Sequence, residues 1–311
     1  MKILFIGGTK FIGGMLVKKF LEENADVLIF SRSSPLSRNA RYIKGDRNIP
    51  RDLDNLKKII DGEVFDYVYD MCCYNPAQAI QIMKKLKTHT KHLIFFSSAA
   101  VYAKSETFPI YESSPVGPNA SFGDYGTKKA AIEQIYKEVC TENNIKLTIF
   151  RPHYILGEGD YFFRHHYFFS RIEKGIPFQV PGNGQALIQF AYAPDVVRLF
   201  HKTPKQQKSQ IESINVATPE ILSLVGIINA FGDAAKIKPI IQHIDYKELG
   251  LNEQYYYDDL FPLPNLNLIL DSTIAEKKYG FNGSKLSCYI DELFNDWTEN
   301  KTSYTISDPL F

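Results

Sequence analysis

Six short runs of strand-forming residues, interleaved with stretches of helical period, run through the first half of the chain and constrain its fold most. Residues 2–6, 27–30, 41–44, 67–71, 93–96 and 147–150 read as strands, the buried kind where the run is wholly apolar. After the first of them Phe11, Ile12, Met15, Leu16, Phe20 and Leu21 fall on one helical face. Residues 53–60 form an amphipathic pattern closed by Gly62, a helix follows Pro76, and 125–142 reads as a long helix. Strands and helices alternating at this spacing predict right-handed βαβ units and a parallel sheet with helices on both faces.

The turn after the first strand reads Gly7-Gly8-Thr9-Lys10-Phe11-Ile12-Gly13. Glycine there permits a tight turn and close backbone approach, and the helix start beyond it offers free N–H groups to a pyrophosphate. Lys10 stands where another glycine is often found. Because the pattern lies between a strand and a helix at the start of the chain, it reads as a dinucleotide site. At the end of the second strand, where NAD enzymes place an acidic residue, the chain has Phe30-Ser31-Arg32-Ser33. No carboxylate stands there to repel a 2′-phosphate. Arg32 can pair with one, Lys10 faces the same region, and Arg38 is a weaker candidate. NADP is therefore expected over NAD.

Ser97-Ser98-Ala99-Ala100 follows the fifth strand at its carboxyl end, where ligands bind in open α/β sheets. Tyr125 and Lys129 lie four apart on the long helix and so share a face. An ammonium beside a phenol favours the phenolate. Tyr125 can then give or take the proton that accompanies hydride transfer, with Ser98 orienting the same oxygen and Lys129 holding the nicotinamide ribose.

With these residues in this order, the chain resembles the short-chain dehydrogenase/reductase superfamily. It is most similar to the extended and atypical branch of NAD(P)-dependent sugar epimerases, dehydratases and reductases. Tyr125-Gly126 with Lys129 and Glu133, Arg151-Pro152, Gly157-Glu158-Gly159-Asp160, the stretch from Gln189 to Asp195, Leu270-Asp271-Ser272 and Gly45-Asp46-Arg47 all fit that branch. The resemblance implies a Rossmann-type doubly wound parallel sheet over 1–152, with a smaller substrate-binding α/β portion over 153–311 that returns some elements to the core. It also implies an adenine contact from Asp46, a cofactor-site place for Pro152, and the long helix as a common dimer surface.

Three departures narrow this expectation. Ala99 and Ala100 stand where dehydratases of the branch carry an acidic pair, so that chemistry is disfavoured. The glycine turn resembles atypical members, including chloroplast stem-loop-binding proteins. Ile188 stands where nucleotide-sugar enzymes usually place a pyrophosphate-binding arginine, which Arg164 or Arg171 could replace. The expected activity is an NADP-dependent oxidoreductase or epimerase acting on a small sugar-like or other carbonyl substrate. The rival is a non-catalytic nucleotide- or RNA-binding protein on the same fold.

Composition removes other classes. Lys and Arg total 36 against 35 Asp and Glu, a net charge of +1 that argues against bulk attraction to nucleic acid or membrane. Four cysteines without zinc spacing read as free thiols in a reducing compartment. With no signal-peptide core and no bilayer-length apolar run, a cytoplasmic protein is expected.

In the second half, 194–200 and 219–231 read as helices, 212–216 and 239–243 as strands, 255–267 as a packed loop, and 271–279 and 289–297 as final helices. The aromatic run from Tyr161 to Phe169 reads mainly as core beneath a loop, with a pocket wall as the alternative. No metal site is expected, since adjacent histidines, His165 and His166, do not share a helical face. Cys72-Cys73-Tyr74 follows the fourth strand, near the expected cofactor and substrate, but reads mainly as small-residue packing. Tyr255-Tyr256-Tyr257-Asp258-Asp259 reads as ordinary surface packing, with an acidic-aromatic contact surface as the alternative.

Overall fold

The computed structural model describes residues 1–311 except 36, 38, 246, 248–260 and 302–311. Arg38 and residues 255–260 of the expected 255–267 loop, with Tyr255 to Asp259 among them, thus lie outside the described residues.

Seven parallel strands form the main sheet. They are β1 (Lys2–Ile6), β2 (Asp26–Ser31), β3 (Arg41–Lys44), β4 (Tyr67–Asp70), β5 (His92–Phe96), β6 (Lys146–Pro152) and, after shorter strands described below, β11 (Ile211–Val216). Their spatial order is β11-β6-β5-β4-β1-β2-β3. The order reverses between β1 and β4, which leaves a crevice at the carboxyl ends of those two strands. The expected Rossmann-type sheet is present.

Alternation along each strand feeds two cores. Ile3 and Phe5 of β1 and Val27 and Ile29 of β2 pack under α1 (Phe11–Glu22). Their neighbours Leu4, Ile6, Leu28 and Phe30 pack on the opposite face. There they meet α2 (Pro50–Ile59), α3 (Pro76–Leu86) and α4 (Gly123–Glu142). Burial on both faces explains why these strands read as continuous apolar runs.

The second half adds β7 (Tyr154–Leu156), α5 (Arg164–Glu173), β8 (Phe178–Pro181), β9 (Leu187–Ile188) and β10 (Phe190–Tyr192). Next come α6 (Ala193–Gln206), β11, β12 (Leu222–Ser223), α7 (Leu224–Ala235), β13 (Ile241–Ile244) and α8 (Ile290–Asn300). Both α6 and β11 return to the main sheet, where Phe200 stacks on Phe150 at 3.8 Å between ring centroids. The helices α5, α7 and α8 enclose a separate core around Phe168, Phe231, Leu293 and Trp297.

Several local expectations are corrected. The helix expected from 219 starts at Leu224, because Leu222 and Ser223 pair with β9 and the Ser223 hydroxyl accepts the Gly226 N–H at 3.0 Å. The helix expected over 271–279 narrows to a π-helical turn, Ile274–Lys278. The aromatic run holds a helix, α5, rather than a loop alone. No described helix is long and apolar enough to cross a membrane.

Candidate active site

Two cavities open along the carboxyl ends of the strands. The first, of about 480 Å³, is lined by the glycine turn from Gly7 to Gly13, by Ser31 and Arg32 after β2, and by Asp46 after β3. The second, of about 380 Å³, is lined by Ser98, Tyr125, Lys129 and Pro152 among others. Phe11, Tyr74, Phe96 and Tyr161 line both and form the neck between them.

The glycines of the turn answer different demands. Gly7 and Gly8 sit at φ +84° and +81°, where a side chain is strained. At Gly13 the constraint is space, since a Cβ would lie 2.4 Å from the Gly8 Cα. Lys10, in the position often given to glycine, is extended at φ −134° and needs no glycine. Phe11 instead takes φ 42°, which a bulky residue rarely adopts, and its ring sits in the neck.

No side chain caps the start of α1, so its first N–H groups face the first cavity without a side-chain acceptor. That opening fits a pyrophosphate on a helix N-terminus. Arg32 stands at the mouth with its side chain 78% exposed, and its guanidinium is 3.9 Å from the Asp46 carboxylate. The end of β2 thus has no carboxylate of its own, but the loop after β3 brings one beside Arg32. Lys10 also lines this cavity, and its ammonium lies 5.9 Å from the centre of the Tyr161 ring.

The Ser98, Tyr125 and Lys129 set converges on the second cavity. The Ser98 hydroxyl accepts the Ala100 N–H at 3.1 Å, which closes a tight 3-10 turn over Ala99–Val101. Gly126 lets α4 pass that turn, because a Cβ there would lie 2.1 Å from the Ala100 carbonyl oxygen. Tyr125 is 44% exposed, with its ring at the cavity. Lys129 is buried; its ammonium donates to the Phe96 carbonyl at 2.8 Å and lies 5.9 Å from the Tyr125 ring centre. Pro152, expected near the cofactor, lines the second cavity.

One turn beyond Lys129, Glu133 anchors the helix. It accepts from Arg151 at 3.0 and 2.6 Å and from the Ser97 hydroxyl at 2.6 Å, all buried. Arg151 also donates to the Tyr102 hydroxyl at 2.9 Å. Burial disfavours the Arg151 charge, but Glu133 outweighs it and holds the guanidinium protonated. A second buried pair joins Arg47 to Asp70 at 2.6 and 2.9 Å, and the Tyr136 hydroxyl of α4 donates to the same carboxylate. Burial raises the Asp70 pKa, but Arg47 and the hydrogen bonds prevail and keep it below the ordinary value. The two pairs tie α4 to β6 and to the end of β4 and so set where Tyr125 and Lys129 stand. Glu133, Arg151 and Arg47 were visible only as parts of motifs, and nothing local marked their partners.

Three further residues line the site, and two of them, Cys72 and Tyr74, belong to the stretch that reads from sequence as near the cofactor and substrate but chiefly as packing. Tyr74 forms part of the neck, and its ring centre is 5.1 Å from the Lys129 ammonium. Cys72 lines the first cavity while Cys73 is fully buried, its thiol pushed up to about 12 by burial. His153 lies in the second cavity's wall with Nε2 on the Leu268 carbonyl at 3.0 Å and Nδ1 accepting the Tyr154 N–H at 2.8 Å.

The aromatic run divides. Tyr161, Phe162 and Arg164 line the second cavity, whereas residues 165–170 are buried within α5. His165 and His166 do converge, contrary to the expected divergence of adjacent histidines. Their Nε2 atoms lie 2.6 and 3.2 Å from Asp296 Oδ2. Ligand atoms sharing a tetrahedral zinc stand about 3.3 Å apart, so the shorter contact is a hydrogen-bond distance. Arg171, one candidate for a pyrophosphate contact, donates to the Pro177 carbonyl at 3.0 Å and lines neither cavity. Ile188 is fully buried.

Residues 75–217 match the model of the NAD dependent epimerase/dehydratase family. The chain is 27% identical over 270 residues to the chloroplast stem-loop binding protein of 41 kDa b from Arabidopsis thaliana, covering 81% of this chain and 68% of that protein. It is 27% identical to the UDP-glucose 4-epimerase of Lactobacillus helveticus over 50% of this chain and 52% of the relative, so it spans only about half of that enzyme. Among solved structures, the UDP-glucose 4-epimerase of Thermotoga maritima superposes with a TM-score of 0.79 at 20% identity, covering 97% of this chain and all of that one. Over residues 75–217 the chain is thus similar to the NAD dependent epimerase/dehydratase family, and its fold is that of the Thermotoga maritima epimerase.

Proposed function

We propose that the protein moves hydride between a nicotinamide dinucleotide and a carbonyl or secondary alcohol, the step common to reductases and epimerases. The observation that carries this reading is the meeting of the two cavities at one neck. The glycine turn lines one side, and Ser98, Tyr125 and Lys129 line the other. The bound nicotinamide supplies or accepts the hydride at the substrate carbon. Tyr125 gives or takes the matching proton at the substrate oxygen. Ser98 already accepts from Ala100, and its O–H is left to donate to that same oxygen. Lys129, held by the Phe96 carbonyl, favours the phenolate and has further N–H donors for the ribose.

We further propose that the dinucleotide is NADP. Arg32 favours a 2′-phosphate over a ribose hydroxyl, and Asp46 tempers it. An exposed ion pair contributes at most about 1 kcal/mol, which corresponds to a preference of about fivefold.

Titrations with NADPH and NADH, followed by nicotinamide fluorescence, test the cofactor side, with Arg32→Ala alongside. Tighter NADPH binding that Arg32→Ala abolishes supports the assignment. Binding of neither dinucleotide removes the foundation of the enzyme reading.

A further inference from the structure

Resting on the hydride-transfer reading, we infer that the substrate presents its carbonyl or carbinol from a neutral, largely apolar, ring-bearing body and not from a nucleoside diphosphate. Eight of the eighteen residues lining the second cavity are Phe or Tyr, among them Phe96, Phe122, Tyr154 and Phe162. Such walls favour flat or ring-shaped apolar groups by burial and by offset or edge-on ring contacts. The hydroxyls of Ser98 and Tyr125 provide the polar end of the cavity. This is the lining expected for a ligand with one polar head, and 380 Å³ lies near the lower end of the range of about 300–1,000 Å³ for small-molecule sites.

The charge inventory of the wall points the same way. Among the described residues of the wall, Lys129, His153 and Arg164 are the ones that can carry a positive charge, and no described Asp or Glu lines it. His153 uses both ring nitrogens, and burial lowers its pKa to about 3, so it is neutral. Arg164 is compensated by Asp160, whose two carboxylate oxygens are both 3.1 Å from its Nη1 and whose side chain has no exposure. Lys129 is left as the net charge, beside the tyrosine that handles the proton. A diphosphate entering this cavity loses water and, among the described residues, meets no uncompensated guanidinium to replace it, which is strongly unfavourable. Position 188 offers no help, because Ile188 is sealed between Leu222 and Leu268.

Equilibrium binding to the full-length protein loaded with NADP⁺ tests the inference without requiring turnover. The probes are 1-phenyl-2-propanone, a neutral aryl ketone, and UDP-glucose. The ketone is expected to bind at least about tenfold more tightly than UDP-glucose. Phe122→Ala, and independently the milder Phe162→Leu, is expected to weaken ketone binding by about three- to tenfold, the range for lost apolar contact in a pocket. Both variants are compared at saturating NADP⁺, with dinucleotide affinity titrated separately, because Lys129 and Pro152 bring the second cavity beside the nicotinamide ribose. Tighter binding of UDP-glucose, no binding of the ketone, or ketone affinity unchanged in both variants overturns the inference. A ketone that binds in the expected order but is reduced by NADPH no faster than in Tyr125→Phe refutes the hydride-transfer reading instead.

Discussion

Replacing Glu133 with glutamine is the sharpest test of how α4 is held. The carboxylate is 1% exposed and its partner Arg151 2%. It accepts two hydrogen bonds from that guanidinium and one from Ser97. Glutamine preserves the shape but turns an N–H₂ toward one set of donors and leaves the guanidinium without its counter-charge. Tyr102 and the Glu112 carbonyl still accept from Arg151, so the loss is partial. Breaking a buried pair in this way costs about 3–5 kcal/mol, a large share of the ordinary 5–15 kcal/mol of a folded domain. Urea unfolding measures it, with far-ultraviolet dichroism and the fluorescence of Trp297, the chain's single tryptophan, followed together. The double variant Glu133→Leu/Arg151→Met removes both charges and is expected to recover more than half of the loss. A cost below about 1 kcal/mol for Glu133→Gln, or a double variant worse than the single one, would refute the reasoning.

Other outcomes follow from the same contacts. Gly126→Ala forces α4 away from the Ser98 turn, so turnover is expected to fall at least about tenfold while dinucleotide affinity, which Lys129 shares with the glycine turn, falls by less, by steady-state kinetics beside NADPH titration. Gly13→Ala drives a Cβ into the Gly8 backbone, and the same titration is expected to show the reverse, a loss of dinucleotide affinity. Acid stability is set in part by His92 and His153, which burial holds neutral with pKa values lowered to about 4 and about 3. Stability from a lowered histidine is fully present above the unfolded value near 6.5 and is lost as pH falls toward the folded value. At pH 4.5 the two together lose about 5 kcal/mol, at about 1.4 kcal/mol per unit for each. A urea midpoint unchanged between pH 7.5 and 4.5 contradicts this, and His92→Gln is expected to flatten the slope.

Much of the sheet was legible because its strands are buried on both faces and show as unbroken apolar runs, as in β1 and β5. Elements whose partners lie far along the chain were not. Pro219 is a fair helix-start signal, yet pairing of Leu222 and Ser223 with β9 delays the helix to Leu224. Six consecutive residues of α5, 165–170, are buried, so the run has no polar face from which a helical period could be read.

The candidate site was legible to the extent that its chemistry sits on local spacing. Tyr125 and Lys129 share one face of one helix, and the glycine turn follows directly from one strand. The supports are different in kind. Glu133 and Arg151 are 18 residues apart, and Arg47 and Asp70 are 23 apart. One pair joins α4 to β6 and the other joins the loop after β3 to the end of β4, so each forms only when those elements pack together. Lys10 shows the same limit from the other side: as a pattern it is a missing glycine, but its backbone is extended and the left-handed turn has moved to Phe11. A motif specifies which residue types the chemistry needs, whereas the backbone decides which position bears the strain. Here the strain falls on the ring that lines both cavities, so the departure from the usual glycine spacing shapes the passage between the proposed cofactor and substrate sites.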